Sequence, residues 1–173
     1  LKAIIEYKKS YPSFINNKFK KRKVDSAFIS SIASRNEKNL DFGIIAKNEV
    51  LSVLLIQGIE EDDFQSQTSN ALAKVLGLKG KVLIGDKALR FFHDNQNLEK
   101  YDLAKEWKNK YNLPFVFAVL CFNKNKIRLE KLTKKFNKKH IKIPQYILEQ
   151  YSKRSGVSKK NILEYLKKID YTL

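Results

Sequence analysis

The sequence carries a single cysteine, Cys121, and two histidines, His93 and His140, in 173 residues. One cysteine cannot close an internal disulfide. Inside the apolar run "LPFVFAVLCF" it reads as a small core residue, which permits a reducing, cytoplasmic setting. Neither histidine has a cysteine or a second histidine at ligand spacing, which argues against a metal centre. That apolar run, Leu113 to Phe122, is the longest in the chain and reaches about half of the ~20 residues a bilayer-spanning helix needs. G-x-S-x-G, Walker and G-x-G-x-x-G segments are missing, which removes the commonest hydrolase, nucleotide-triphosphatase and dinucleotide-binding signatures. Arginine is scarce, five of 35 basic residues, and arginine is the side chain that forks onto guanine and phosphate. The sequence opens on Leu1 rather than methionine, which leaves room for a preceding segment.

What the chain does have is lysine and a sizeable apolar fraction. At 43% hydrophobic residues it can bury a core, and its length suits one domain or two small lobes. The net charge of +17 is unevenly spread: Lys124 to Leu173 holds 15 basic and 4 acidic residues. A basic surface of this kind attracts polyanions by counterion release. With so little arginine, a solvated basic face is the favoured reading over a nucleic-acid or membrane surface.

Along the chain, "LKAIIEY" reads as a strand, and Pro12-Ser13 opens a helix to about Lys23 with Ile15 and Phe19 on one face. "VDSAFISSI", "LDFGIIAK" and "VLSVLLIQ" read as strands, the last two buried on both faces. After the acidic "GIEEDDF", taken as a solvated loop, "SQTSNALAKVLG" has hydroxyls at a helix start, apolar residues at helical spacing and Gly77 as terminator. "KVLIG" is the next strand, Asp86 begins a short helix, and Asp102 caps a helix in which Leu103, Trp107 and Tyr111 recur every four residues. "PFVFAVLCF" is a central strand, whose Phe115, Phe117 and Phe122, like Trp107, fall at core periodicities. From Lys126 the chain is helical, with Pro144 starting one helix and Ser158 capping the last, whose stripe is Ile162, Leu163, Leu166 and Ile169.

Strands alternating with helices predict an α/β fold with a mostly parallel sheet, whose ligand sites lie outside the carboxyl ends of its strands. Asp86 sits at such an end. Its carboxylate either caps the following helix, the favoured local reading, or projects into a cleft. Ser66, Thr68 and Ser69 either cap a helix or, with that helix's free N–H groups and positive dipole end, make an anion site. Ser30 and Ser31, after an apolar strand, are a strand-end turn or hydroxyl donors lining a cleft.

"VLIGDKALRF" followed by "YDLAKEWKNKYNLPFVFAV" resembles the chorismate dehydratase family of the futalosine route to menaquinone, whose members carry G-D-x-A-L, D-L-x-x-x-W and L-P-F-V-F-A segments. "PSFIN", "VDSAFISSI", "EVLSVLLI" and "SQTS" fit in the same order, so the likeness covers nearly the whole chain. The dihydroxynaphthoate synthase of the same route is similar, but the "GDKAL" and "LPFVFAV" pieces match the dehydratase.

The resemblance implies a two-lobed, periplasmic-binding-protein-like (type II) fold, with a mostly parallel sheet in each lobe and a helical C-terminal segment. The first lobe would be residues 1–57 and 116–173, and the smaller second lobe 58–115. It implies a hydro-lyase that takes water from the dianion chorismate and gives 3-[(1-carboxyvinyl)oxy]benzoate, with no metal or redox cofactor. Carried over by the family pattern, Ser30, Ser31, Ser52, Ser66, Thr68 and Ser69 belong to the substrate cleft, and Asp86 to its second-lobe wall. The substrate's own enolpyruvyl carboxylate would accept the ring proton. Two features depart from the pattern. The family's opening strand and Y-x-N-x-x-P segment, whose asparagine is placed in the active site, is not found before Leu1, and the stretch between "SQTS" and "KVLIG" is short, which implies a small second lobe and a more open cleft. Two other readings remain. A non-catalytic anion-binding protein would share every cleft feature. The basic pair of helices around Gly156 has the outline of a helix-turn-helix, against which a hairpin packed on the first lobe is favoured.

Overall fold

In the computed structural model, which describes residues 5–137 and 142–172, the apolar runs build two sheets. The first contains β1 (Ser26–Ser30), β2 (Asn39–Ala46), β6 (Phe115–Phe122) and β7 (Ile169–Thr172), in the order β1-β6-β2-β7. The second contains β3 (Val53–Ile56), β4 (Lys81–Ile84) and β5 (Lys100–Asp102), in the order β4-β3-β5. Every ladder in both sheets is antiparallel, which overturns the expected mostly parallel, periplasmic-binding-protein-like arrangement.

The alternation of strand and helix is real, but chain order does not give sheet adjacency. β4 and β5, joined by the helix α3 (Gly85–Asp94), run the same way, yet β3 lies between them and runs opposite. In the first sheet β1 and β2 likewise run together, with β6 inserted antiparallel between them. β3 therefore pairs in the second sheet, and only Val53–Ile56 of the run that contains it is strand.

Other elements follow their local signals. α1 (Pro12–Lys20) has proline in its first turn and buries Phe19. α2 (Gln67–Leu76) is capped by Ser66 and stopped by Gly77 in the left-handed conformation, φ 74°. α4 (Leu103–Tyr111) starts on Asp102. Trp107, Phe115 and Phe117 stack edge to face as packing aromatics, with centroids 5.2 Å and 4.7 Å apart. The largest core cluster runs through both sheets, from Ala46 and Val50 to Leu55, Val82 and Leu103. "LKAIIEY" forms no strand over Ile5 to Tyr7, and residues 1–4 lie outside the described residues.

The C-terminal part is α5 (Lys126–Asn137), α6 (Gln145–Ser155) and α7 (Lys159–Leu166), with Ser158 capping α7 by accepting the Asn161 N–H at 3.2 Å. Ile169 is not the end of the helical stripe. It opens β7, where Ile169 and Asp170 pair with Ala46 and Ile45, because the open edge of β2 offers ladder partners that a further helical turn would not. The α6–α7 hairpin packs on α3, where Leu148, Val157 and Ile162 are buried with Leu51 and Leu89, and Tyr165 of α7 also packs against the cluster that holds Ala46 of β2. Of the apolar stripe on α7, Ile162 is buried, whereas Leu163 is 39% exposed.

Candidate active site

One edge of the second sheet gathers the start of β3 and the ends of β4 and β5, since Val53 pairs with Ile84 and Leu54 with Asp102. α3 and α4 both begin at that edge. α2 brings its own beginning there as well, because Asp63, three residues before its cap, is held at 2.6 Å by Lys87 in the first turn of α3. Asp63 is only 5% exposed, so the acidic loop is solvated at Glu60, Glu61 and Asp62 but not at its last carboxylate.

α1 ties this edge to the first sheet. The Ser13 N–H donates to the Gln65 carbonyl at 3.1 Å, and its hydroxyl donates to the Phe64 carbonyl at 3.2 Å. Nearly one turn on, Asn16 meets the end of β1 with both ends of its amide: its Nδ2 donates to Ser30 Oγ at 2.7 Å, and its Oδ1 accepts the Ser30 N–H at 3.2 Å. The Ser31 N–H donates to the Phe117 carbonyl. Ser30 and Ser31 are thus linked to the α2 start through α1.

The hydroxyls here are buried and rich in donors. Ser30, Ser66, Thr68 and Ser69 are each 6% exposed or less. Ser66 Oγ caps α2 by accepting the Ser69 N–H, and it lies 2.9 Å from Ser69 Oγ. That pair has two hydroxyl protons and one mutual bond, so one proton is left over whichever atom donates. Ser30 Oγ accepts from Asn16, so its own proton also points elsewhere. Thr68 Oγ1 is buried with no hydrogen-bond partner. Unpaired buried hydroxyls are costly. Several beside a helix start suit a ligand that only accepts, such as a carboxylate.

Ser52 and Asp86 form a second group. The Ser52 carbonyl accepts the Gly85 N–H at 2.8 Å, and Ser52 Oγ lies 3.4 Å from the hydroxyl of Tyr165. Asp86 does not cap α3, which has no side-chain cap. Its carboxylate instead accepts from the Tyr151 hydroxyl at 2.5 Å and lies 3.7 Å from Arg154, whose guanidinium stacks on the Tyr151 ring. The competing partner was invisible locally, because Tyr151 is brought to α3 only by the hairpin. Burial first, then the Asp86 carboxylate, raises the Tyr151 hydroxyl well above its ordinary value. Tyr165 is raised mainly by burial.

Asp102 does more than cap. Oδ1 accepts the Ala104 and Lys105 N–H groups, and Oδ2 accepts those of Val50 and Leu51, at 2.9 and 2.6 Å, in the segment that crosses between the sheets. Leu51 there is left-handed, φ 61°. Burial raises the Asp102 carboxyl, and the four backbone donors offset only part of that rise.

Asn16, Asp63, Tyr151 and Tyr165 were not singled out from the sequence. The one available signal was Asn16, a polar residue beside Ile15 and Phe19 on the buried face of α1, which needs a partner. A surface depression of about 390 Å³, lined by Glu49, Phe92, His93 and Lys168 among others, takes in none of the predicted site residues, and nor does one of about 550 Å³ along Asn125–Lys131. Among the described residues no cluster of histidine, cysteine, aspartate or glutamate could hold a metal ion, and His140 lies outside them.

A family described as menaquinone biosynthesis matches residues 64–173. A chorismate dehydratase from Campylobacter jejuni subsp. jejuni serotype O:23/36 (strain 81-176) is 45% identical over 174 residues, which covers 98% of this chain and 77% of that protein. At that identity, over nearly its whole length, the chain belongs to the menaquinone-biosynthesis family that includes this chorismate dehydratase.

Proposed function

We propose that the chain is a chorismate dehydratase, a hydro-lyase that removes water from chorismate to give 3-[(1-carboxyvinyl)oxy]benzoate in menaquinone biosynthesis. The observation that supports the reading at the level of the site is the set of buried, uncommitted hydroxyl donors: Ser30, held by Asn16 of α1, and the Ser66–Ser69 pair and Thr68 at the start of α2, beside the residues on which Ser13 of α1 docks. Chorismate carries two carboxylates, which only accept. Donors and helix starts fixed beforehand would hold them without reorganisation. Ser31, Ser52 and Asp86 belong to the same proposal. Ser31 adjoins Ser30, and Ser52 and Asp86 flank the start of α3 at the same edge of the second sheet.

The reaction breaks the C–H bond on the ring carbon that carries the ether oxygen and the neighbouring C–OH bond; the C–H electron pair closes the aromatic ring, and the departing hydroxide takes up one proton to leave as water. The three carboxylates at this edge are already engaged: Asp63 by Lys87, Asp86 by Tyr151 and Arg154, and Asp102 by four backbone N–H groups. We therefore assign the proton to the substrate's enolpyruvyl carboxylate, and to the protein the work of holding that carboxylate over the ring. Two lobes, residues 1–57 with 116–173 and residues 58–115, are part of the proposal, as is a cytoplasmic location, for which the lone Cys121, kept as a buried thiol, is the support. No helix among the described residues is long and apolar enough to cross a membrane.

Incubation of the full-length protein with chorismate tests this. The diene absorbance should fall, and the product mass should be that of chorismate less one water. Intact chorismate that binds tightly would instead make the protein a receptor, and absence of binding would remove the reading altogether.

A further inference from the structure

We propose that Asn16 is a positioning residue that commits the Ser30 hydroxyl to donate toward the substrate. This rests on the reading above, that Ser30 faces a carboxylate of chorismate. The geometry decides which way the hydroxyl points. The Ser30 N–H must donate to an oxygen, so the Asn16 amide has Oδ1 at that end and Nδ2 at Ser30 Oγ, 2.7 Å away. Ser30 Oγ is therefore an acceptor toward α1, and its own proton is free to donate elsewhere.

The rest of Ser30 is fixed as well. Its carbonyl accepts the Ala33 and Ser34 N–H groups at 2.9 and 3.0 Å, and its residue is 4% exposed. Backbone and hydroxyl lone pair are both held, and one O–H remains as the single directed donor. Asn16 is itself 8% exposed and sits in the turn of α1 that follows Ser13, which docks on Gln65. One short helix thus sets the Ser30 donor and the position of the α2 hydroxyls together.

The substitution Asn16→Asp tests this, because a protonated aspartic acid reproduces the asparagine pattern: one O–H donates to Ser30 Oγ and the other oxygen accepts the Ser30 N–H. Once ionised, the side chain can only accept, and the Ser30 hydroxyl turns to it and away from the substrate. The KM for chorismate should lie near the wild-type value at low pH and rise roughly 10- to 100-fold as the carboxyl ionises, with kcat little changed. Burial places that step above the ordinary aspartate value of about 3.9. Ionisable groups on the surrounding elements are Lys18 and Lys20 of α1, Arg35, Glu37 and Lys38 after β1, Asp63 before α2, and Cys121 of β6. Any step that they cause appears in the wild-type profile too and is subtracted with it.

A double-mutant cycle supplies the second measurement. Asn16→Ala should raise KM several-fold in the wild-type background and add nothing to Ser30→Ala, because its effect runs through the missing hydroxyl. A KM for Asn16→Asp that follows the wild-type profile at every pH would overturn the proposal, as would an Asn16→Ala effect undiminished beside Ser30→Ala. If the wild-type protein does not act on chorismate, the functional reading falls and takes this one with it. If the wild type acts and the variants match it, this one falls alone.

Discussion

Replacing Asp102 by asparagine changes one atom and should cost more stability than a helix cap ordinarily contributes. The carboxylate accepts two N–H groups on each oxygen, Ala104 and Lys105 on one and Val50 and Leu51 on the other. Asparagine has one acceptor oxygen, so whichever way its amide turns, two backbone N–H groups face an NH2 group. Asp102 is 8% exposed, and water has little access to repair the loss. A buried donor left unsatisfied costs about 1–3 kcal/mol, so the variant should lose about 2–6 kcal/mol of a total that is typically 5–15 kcal/mol. At about 2–4 °C per kcal/mol for a chain of this size, the melting midpoint should fall by roughly 5–20 °C. Ser158→Ala is the comparison, since that cap holds one exposed N–H and should cost only ~1 kcal/mol. Urea denaturation followed by tryptophan fluorescence would report on Trp107, which packs against the same core. An Asp102→Asn midpoint indistinguishable from wild type, or one no lower than that of Ser158→Ala, would refute the reasoning.

Tyr151→Phe removes the donor to Asp86 but keeps the ring under Arg154; because the Asp86 side chain is 36% exposed and water can replace the bond, the loss should be about 1 kcal/mol, or 2–4 °C in a thermal melt. A larger drop would show that the hairpin is held mainly by this contact rather than by Leu148, Val157 and Ile162. Burial pushes the Cys121 thiol up from 9.0 to about 11, so the folded protein should react slowly with a thiol reagent at pH 8 and quickly once denatured. A folded value above the unfolded one means that the stability gained by keeping this thiol neutral is present below pH 9.0 and is lost as pH rises through about 11. Cys121→Ala should flatten that part of a stability profile, and an unchanged profile would contradict the assignment.

Much of the local structure was legible in the residues. Ser66 with Gly77, Pro12, Asp102 and Ser158 marked helix boundaries, because caps and stops depend on atoms within a few positions of each other. The motifs from Asp102 to Val119 pointed to the menaquinone-biosynthesis family, which the comparison at 45% identity bears out. Sheet direction was not legible. A strand–helix–strand alternation is satisfied equally by neighbours that run parallel and by strands with an antiparallel partner inserted between them, as β3 is between β4 and β5. Ile169 shows the same limit, since its helical spacing was outweighed by the free edge of β2.

At the candidate site the division is sharper. The sequence by itself determined the stock of donors, the absence of the commonest nucleotide and hydrolase motifs, and the helix starts on which the hydroxyls sit, all of which follow from residue type and short-range spacing. Only the tertiary structure decided what those groups touch. It turned Asp86 from a cap into the partner of Tyr151, made Asp102 a clamp on Val50 and Leu51, and set Asn16 against Ser30. A buried polar side chain must find a partner, and its chemistry does not say from how far along the chain that partner will come.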